Sequence, residues 1–262
     1  MFAVFKRFHP EAPVVTSPLK RAQGDSRVTN NKAHEHNRII MSQERVTTGV
    51  DGLDEIVQGG FPEGSVTMLT GGPGTGKTTF STQFVYEGLK KGQNCMYIST
   101  EERPSEVKGD AAQFGIDLDK YTSHFRIPYI VPSDDIMDEI TQMVTEGDHD
   151  RIVLDSLSVL AMFWGEDENI RMNIKDLINQ FRKSGATVLI TAELPSDGGR
   201  LSRHGVAEYV VDGVIKMQGF ALGESAFRSA QVVKMRRTDI DGDVNNLVLD
   251  ENGISIQEED SF

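Results

Sequence analysis

The feature that most constrains this chain is the eight-residue segment Gly71-Gly-Pro-Gly-Thr-Gly-Lys-Thr78, which matches the pattern G-x-x-x-x-G-K-S/T. An apolar, β-rich run at residues 65–70 precedes it. The stretch 78–91 follows it, with apolar residues at helical spacing, and Gly92 stands where a helix stop is expected. This order of strand, glycine-rich loop and helix predicts an α/β fold built around the loop.

The loop sequence favours a phosphorylated ligand. Glycines allow backbone N–H groups to point into one concavity, and the positive end of the following helix adds to the attraction for phosphate. Lys77 is expected to contact the β- and γ-phosphates, and the Thr78 hydroxyl is expected to bind Mg²⁺. The sequence therefore predicts binding of ATP with Mg²⁺. The candidate nucleotide-binding residues are Gly72, Gly74, Thr75, Gly76, Lys77, Thr78 and Thr79.

Carboxylates at strand ends are the candidates for the metal and for the attacking water. The run 151–155 is an apolar strand that ends in Asp155, and we expect this side chain to complete the Mg²⁺ site together with Thr78. Ser156 follows instead of a second acid, so the general base must come from elsewhere. Glu101 and Glu102 follow another apolar strand, and we expect one of them to orient water if that strand neighbours the strand before the loop.

The remaining pattern alternates strands and helices up to about residue 192. Helices are predicted at 104–114, 134–146 (with Ser133 as its N-cap) and 169–183, and strands at 95–99, 125–130, 151–154 and 186–191. Such alternation predicts a mostly parallel central sheet with helices on both faces. Strand patterns at 209–217, 230–236 and 246–249 have no helices between them, and they predict an antiparallel C-terminal extension.

Charge divides the chain unevenly. Its 262 residues carry a formal net charge of −13, with 27 Lys and Arg against 40 Asp and Glu. The first 40 residues are basic and rich in Pro, Asn, His and Ser, so the rest is strongly acidic. We interpret residues 1–41 as a disordered leader, or as an extension from a start site placed too early, with Met41 as the natural start. Residues 42–256 form the predicted α/β domain, and residues 257–262 an acidic tail.

Composition also disfavours some classes of binding partner. A strongly acidic domain disfavours binding of duplex DNA through surface charge, and it suggests adaptation to a salty, halophilic cytoplasm. The chain has one cysteine, Cys95, so no intrachain disulfide is possible, which fits a cytoplasmic location. No apolar run approaches the ~20 residues that span a bilayer, so we expect no membrane partner.

Several motifs in a fixed order resemble those of a KaiC domain, which belongs to the RecA-like P-loop superfamily. They are Gly-Val-Asp-Gly-Leu-Asp-Glu at 49–55, Gly-Gly-Phe-Pro-Glu-Gly at 59–64, the glycine-rich loop, Ser-Thr-Glu-Glu at 99–102, Leu-Asp-Ser-Leu-Ser at 154–158, Gly-Val-Ala-Glu-Tyr-Val-Val-Asp-Gly-Val at 205–214 and Lys-Met-Arg-Arg-Thr at 234–238. The chain resembles a single-domain archaeal or bacterial KaiC-like protein over about residues 44–250.

The resemblance implies a RecA-like P-loop NTPase that assembles as a homo-oligomeric ring, a hexamer in the family. It implies that Glu101 and Glu102 activate water. It also implies that Lys234 and Arg236 reach the nucleotide of the neighbouring subunit; residues two apart on a strand project from the same face. Two departures stand out. Arg237 replaces the usual glycine, and Glu208-Tyr209 stands where the clock protein has a phosphorylated Ser-Thr pair. Autophosphorylation of the clock type is therefore not expected.

Three functions stay open at this stage. The first is a slowly ATP-hydrolysing ring in signalling or regulation, with a protein partner that the sequence does not identify. The second is a DNA-binding ATPase related to RecA and RadA, suggested by Arg200 and Arg203 in the segment 196–204 but disfavoured by the acidic domain. The third is an interaction module that does not hydrolyse nucleotide, and whose contacts with partners are controlled by nucleotide binding.

Overall fold

The computed structural model describes residues 44–165, 167–195, 199–222 and 225–257. The predicted leader at 1–41 and positions 258–262 of the predicted tail lie outside the described residues. The strands are β1 Arg45–Val46, β2 Phe61–Pro62, β3 Val66–Gly71, β4 Cys95–Ser99, β5 Phe125–Arg126, β6 Arg151–Asp155, β7 Thr187–Glu193, β8 Gly213–Leu222, β9 Ser225–Met235, β10 Val244–Asp250 and β11 Gly253–Gln257. The helices are α1 Leu53–Ile56, α2 Lys77–Lys90, α3 Pro104–Gln113, α4 Ile136–Glu146, α5 Leu157–Trp164, α6 Asp167–Ser184 and α7 Ala207–Val210, with a 3₁₀ helix at Leu118–Tyr121.

One nine-stranded sheet organises the fold, in the order β11-β10-β9-β8-β3-β7-β6-β4-β5. The six strands from β8 to β5 in this order pair in parallel. Strands β8 to β11 pair antiparallel. The predicted parallel sheet with an antiparallel C-terminal extension is confirmed. The pair β1–β2 forms a separate two-stranded ribbon.

Helices cover both faces of the sheet because its central strands are apolar on both sides. Leu69 of β3 belongs to a buried cluster that includes Phe84 of α2. Its neighbour Met68 belongs to a second cluster, which includes Ile140 of α4 and Ile178 of α6. Successive residues of a strand face opposite sides, so this alternation anchors helices on each face.

Strand order corrects one expectation about the site. Strand β4, which leads to Glu101 and Glu102, does not neighbour β3, because β7 and β6 lie between them. Strand β4 pairs instead with β6, and Ser99 lies opposite Asp155. The carboxyl ends of these parallel strands still share one edge of the sheet, so the glutamate pair lies beside Asp155 rather than beside the loop strand.

One predicted strand was too long, and one predicted N-cap was wrong. The strand predicted at 125–130 stops at Arg126, because Pro128 has no N–H and the chain returns to the sheet only at the bridge between Ser99 and Tyr129. Ser133 is not a side-chain N-cap. Helix α4 begins after Asp135, and Ser133 accepts a bond from Ile136 through its backbone carbonyl at 3.1 Å.

The strand predicted at 209–217 starts only at Gly213, because residues 207–210 form the short helix α7. Tertiary contacts override the β-branched sequence here: Lys234 donates to carbonyls at the end of α7, and Glu208 accepts a bond from the Leu201 N–H. The sequence patterns also missed β1, α1, β2, the 3₁₀ helix, α5 and β11. Gln257, the first residue of the predicted tail, pairs with Asn246 in the sheet. Within the described ranges, no helix combines the length and apolar character that a membrane crossing requires.

Candidate functional site

The glycine-rich loop joins the end of β3 to the start of α2. Gly74 and Gly76 have φ angles of 70° and 100°, which glycine adopts at little cost. A side chain on Gly72 or Gly74 would meet no atom within 4 Å, so the crown of the loop faces open space. The Thr75 hydroxyl closes the loop from within by donating to the Gly72 carbonyl at 2.9 Å. The loop is therefore an open cradle of backbone groups, as a phosphate site requires.

Lys77 folds back over this cradle. Its ammonium group donates to the carbonyls of Gly71 and Gly72 at 3.0 and 3.1 Å. Thr78 and Thr79 lie in the first turn of α2, whose N–H groups have no acceptor within the helix. Both threonines line a groove of about 180 Å³ between α2 and α3. Of the predicted nucleotide-binding residues, Thr78 and Thr79 line this groove, and Thr75 is buried beneath the loop.

Asp155 ends β6 beside this turn, and the residue is buried, with 8% of its surface exposed. The Thr78 hydroxyl donates to Oδ2 at 3.2 Å, and the Tyr97 hydroxyl donates to the same oxygen at 2.5 Å. The Thr191 hydroxyl donates to Oδ1. Mg²⁺ prefers hard oxygen ligands and is held by few protein groups, so the adjoining oxygens of Thr78 and Asp155 fit this ion.

Glu101 reaches the same edge through β4. Its carboxylate accepts a hydrogen bond from the Ser156 hydroxyl, the residue directly after Asp155. The Thr100 N–H donates to the Asp155 carbonyl at 2.7 Å, and the Ser156 N–H donates to the Thr100 hydroxyl at 2.9 Å. These bonds fasten the end of β4 to the end of β6, and they hold Glu101 next to the candidate metal ligand.

Glu102 is bonded differently from Glu101. One of its carboxylate oxygens, Oε2, is buried and has no hydrogen-bond partner among the described residues. Burial raises the pKa of Glu102, and the negative charge of Asp155 raises it further. A half-buried carboxylate with an unused acceptor and a raised pKa is typical of a group held for a reaction.

Lys234 lies near the end of β9 and Arg236 just after it, and both side chains contact their own chain. The Lys234 ammonium donates to the carbonyls of Val211 at 2.7 Å and of Glu208 at 3.0 Å. Burial lowers the pKa of Lys234, and the positive charge of Arg236 lowers it further. Arg236 donates to the carboxylate of Asp212 at 3.0 Å. Among the contacts described for these two side chains, none reaches the glycine-rich loop.

Asp212 holds together groups from three different elements of the fold. It accepts hydrogen bonds from the Val66 N–H at 3.1 Å, from Arg182 at 3.2 Å and from Arg236 at 3.0 Å. Burial by itself would raise the pKa of Asp212, but the N–H of Val66 and the guanidinium of Arg182 outweigh it, so the pKa is lowered. The ionised carboxylate thus ties Arg236 to the start of β3, the strand that leads into the loop.

Sequence reasoning did not single out Tyr97, Asp212 or Arg228. The Arg228 side chain donates to the Gly74 carbonyl at 3.3 Å, which places a further cation at the loop. The polar end of Tyr97 is hidden in a strand that reads as uniformly apolar. The one signal that could have found Tyr97 is the face of the sheet on which it lies. It packs in the cluster between the sheet and α2, the helix that follows the loop.

Two other features are a further groove and the basic segment at 196–204, whose Arg203 reaches the same edge of the sheet, because its partner Glu193 ends β7 opposite Gly71. A groove of about 870 Å³ lies at the amino ends of β4 and β5, away from the carboxyl ends where the acidic residues meet. Of the basic segment 196–204, residues 196–198 lie outside the described residues. Arg203 lies 3.8 Å from the carboxylate of Glu193 in a half-exposed ion pair.

A parallel α/β sheet with a phosphate-binding loop after a central strand, and with an aspartate ending a nearby strand, defines a RecA-like P-loop NTPase fold. The sequence model described as "ATPase: KaiC" matches residues 46–261, and the chain belongs to the KaiC ATPase family. The resemblance predicted from its motifs is confirmed.

Relatives of this chain include both longer and single-domain proteins. It is 28% identical to the circadian clock protein KaiC3 of Synechocystis over 81% of this chain and 45% of the relative, so it spans less than half the length of that protein. It is 32% identical to the UPF0273 protein PH0284 of Pyrococcus horikoshii, over 74% of this chain and 86% of the relative. The crystal structure of the KaiC-like protein PH0186, also from P. horikoshii, aligns with a TM-score of 0.75 and 33% identity, covering 82% of this chain and 99% of that one.

Proposed function

We propose that this protein binds ATP with Mg²⁺, hydrolyses it slowly, and assembles as a ring of identical copies that acts in signalling or regulation. One observation carries the nucleotide part. The Thr78 hydroxyl lies 3.2 Å from the Asp155 carboxylate, so the loop and the β6 aspartate meet at one point. The open crown of the loop at Gly72 and Gly74 supports the same conclusion.

In this proposal the chain positions the triphosphate and the water. Backbone N–H groups of the loop and the ammonium of Lys77 hold the phosphate oxygens, while Thr78 and Asp155 hold the metal. When bound, Mg²⁺ neutralises negative charge on the β- and γ-phosphates. Hydrolysis then depends on positioning and on electrostatics, more than on covalent chemistry by the protein.

Glu101 and Glu102 are the candidates for orienting the attacking water. Their environments suggest unequal roles, because Ser156 already occupies one oxygen of Glu101, whereas Oε2 of Glu102 is buried without a partner. We expect Glu102 to accept the proton of water more readily, because its pKa is raised. The comparison of Glu101→Gln with Glu102→Gln in a phosphate-release assay tests this assignment, and equal rates in the two variants would contradict it.

Lys234 and Arg236 are proposed to act on the nucleotide of a neighbouring copy. Arg236 is half-exposed, and its only described ion pair is with Asp212, so its guanidinium is available on a surface that a second copy can cover. A cation brought in from outside stabilises charge on a transferring phosphoryl group. The ring itself rests on the family resemblance, and the hexamer is the form we expect to find.

The first experiment measures mass and turnover on one sample. Light scattering after size exclusion at high salt, with and without Mg-ATP, is combined with an assay of phosphate release. We expect a ring with ATP and slow release in the wild type, and no release in Lys77→Ala. A ring that forms but releases no phosphate would favour the nucleotide-switched interaction module. A monomer under both conditions would remove the mechanism in which Lys234 and Arg236 act across an interface.

A mixing experiment separates action across an interface from action within one copy. Lys77→Ala disables the nucleotide site but keeps Arg236, while Arg236→Ala keeps the nucleotide site and loses the cation. If Arg236 acts on a neighbour, a mixture of the two variants recovers phosphate release, because some interfaces combine an intact loop with an intact Arg236. A mixture no more active than the average of its parts would refute the proposal. Thermal melts of each variant control for folding.

A further inference from the structure

Tyr97 brings a dedicated polar atom to the candidate metal site. It lies in the middle of β4, its side chain is 0% exposed, and its ring packs among apolar side chains under α2. A phenylalanine would fill this place without the cost of burying a hydroxyl. The hydroxyl instead lies 2.5 Å from Oδ2 of Asp155 and donates to it. A buried polar group with a single strong acceptor points to a role at that acceptor.

The bonds around Asp155 show what the hydroxyl does there. Tyr97 and Thr78 donate to Oδ2, and Thr191 donates to Oδ1, so hydroxyl donors fix both ends of the carboxylate. Thr78 is itself a candidate ligand, and its oxygen must turn a lone pair to the metal when Mg²⁺ binds. Tyr97 and Thr191 are then the partners that keep the carboxylate plane in place. Of these two side chains, Tyr97 holds the carboxylate more rigidly, because its aromatic ring is fully buried.

We propose that Tyr97 is a positioning residue for the metal site, which fixes the Asp155 carboxylate so that it faces the Thr78 hydroxyl. This inference rests on the proposed function, since it needs Mg²⁺ and nucleotide to bind at the loop. Tyr97 acts on the metal site through its bond to Asp155, and its hydroxyl also contacts the Thr78 side chain. Partners of this kind, one bond behind the metal ligands, typically contribute 10–100-fold to metal affinity.

The test is the effect of Mg²⁺ on nucleotide affinity, measured without turnover. ADP is titrated calorimetrically into the wild type and into Tyr97→Phe, once with Mg²⁺ and once with EDTA. We expect the gain in ADP affinity that Mg²⁺ provides to fall by about 10-fold or more in Tyr97→Phe, with the affinity in EDTA unchanged. Tyr121→Phe is the matched control, because it makes the same chemical change on the 3₁₀ helix, where the ring packs against Tyr86.

The outcomes separate this inference from the function beneath it. If Mg²⁺ gives the wild type no gain in ADP affinity, the proposed metal site and the inference fall together. If the wild type shows the gain and Tyr97→Phe keeps all of it, the inference alone is wrong. An equal loss of affinity with Mg²⁺ and with EDTA in Tyr97→Phe would mean a general structural role, and would also overturn it.

A second measurement keeps the inference testable if Tyr97→Phe does not fold. A variant that keeps Tyr97 as its sole tyrosine carries phenylalanine at the other four positions, Tyr86, Tyr121, Tyr129 and Tyr209. The Raman doublet of tyrosine then reports on Tyr97 alone. We expect the signature of a strong hydrogen-bond donor, both without ligand and with Mg-ADP. A weak donor in the Mg-ADP state would show that the bond to Asp155 is not kept, and would refute the proposal.

Discussion

Arg237 occupies a backbone conformation that suits glycine. Its φ angle is 61°, in the left-handed region. In the Lys-x-Arg-Gly motif of the KaiC domains that this chain resembles, this position is a glycine. The residue is exposed, and its backbone carbonyl accepts a hydrogen bond from Arg45 at 2.8 Å. That bond does not depend on the side chain at 237. We therefore predict that Arg237→Gly stabilises the folded protein.

The expected gain follows from two opposing contributions. A residue other than glycine in the left-handed region costs about 1–2 kcal/mol, because its Cβ crowds the following carbonyl oxygen. Glycine costs about 0.5–1 kcal/mol through the greater freedom of the unfolded chain. Removal of the positive charge also relieves Arg45, whose pKa is lowered first by burial and then by Arg237. The net gain is about 0.5–1 kcal/mol, which corresponds to a rise in Tm of about 1–4 °C for a domain of this size.

Equilibrium unfolding in urea, followed by circular dichroism, measures this difference, with Arg237→Ala as the matched control. Alanine removes the charge and the long side chain but keeps the Cβ atom, so the backbone strain persists. We expect Arg237→Gly to be more stable than both the wild type and Arg237→Ala. If alanine stabilises as much as glycine, the gain comes from charge, and the argument from backbone conformation is wrong.

Three further predictions concern buried groups and helical glycines. Glu102→Gln should raise the free energy of unfolding at pH 7 by less than about 1 kcal/mol, since the site is partly solvated. Burial and Asp155 raise the folded-state pKa of Glu102, so the stability contributed by its protonated form is lost as pH rises through that pKa. The advantage of glutamine should therefore shrink in urea titrations at acidic pH, and a constant advantage would contradict this reasoning. Gly88→Ala in α2 should destabilise the folded protein, because the new Cβ would lie 2.5 Å from Nε of Arg151, a side chain held by three hydrogen bonds. Gly109→Ala in α3 is the matched control, because its Cβ meets nothing within 4 Å. It should stabilise the folded protein by about 0.5–1 kcal/mol in the same assay. Cys95 is buried and its thiol pKa is raised to about 12, so a thiol reagent at pH 8 should label it only after unfolding; rapid labelling of the native protein would show that the site opens.

Much of the fold could be predicted from sequence because its signals are local and strong. The strand predicted at 95–99 matches β4, and the helix predicted at 104–114 matches α3 to within one residue. Alternation of strands and helices is sufficient to predict a parallel sheet, and its loss after residue 192 is sufficient to predict the antiparallel part. The helix at Ala207–Val210 was missed because long-range bonds from Lys234, and not local propensity, hold its end.

The candidate site shows a different limit, which concerns strand order. The expectation that Glu101 and Glu102 lie at the site depended on β4 neighbouring β3, and that premise was wrong. The two residues nevertheless lie beside Asp155, because all parallel strands of one sheet end at the same edge, and β6 carries the aspartate to the strand next to β4. A prediction based on strand ends is thus more robust than one based on strand neighbours, since the direction of a strand is fixed by the βα pattern while its order is fixed only by packing.

The same reasoning explains why Tyr97 escaped notice while Asp155 did not. An aspartate at the end of an apolar strand interrupts the pattern, so the sequence exposes it. A tyrosine within an apolar strand continues the pattern, so the sequence does not show which group its hydroxyl contacts. That becomes clear only when the neighbouring strand is known. The hydroxyl gains its meaning only from the register that sets Tyr97 opposite Val153, two residues before Asp155. Positioning groups of this kind are therefore the part of a site that sequence reasoning misses first, and the Mg²⁺ dependence of ADP binding in Tyr97→Phe measures how much such a group contributes.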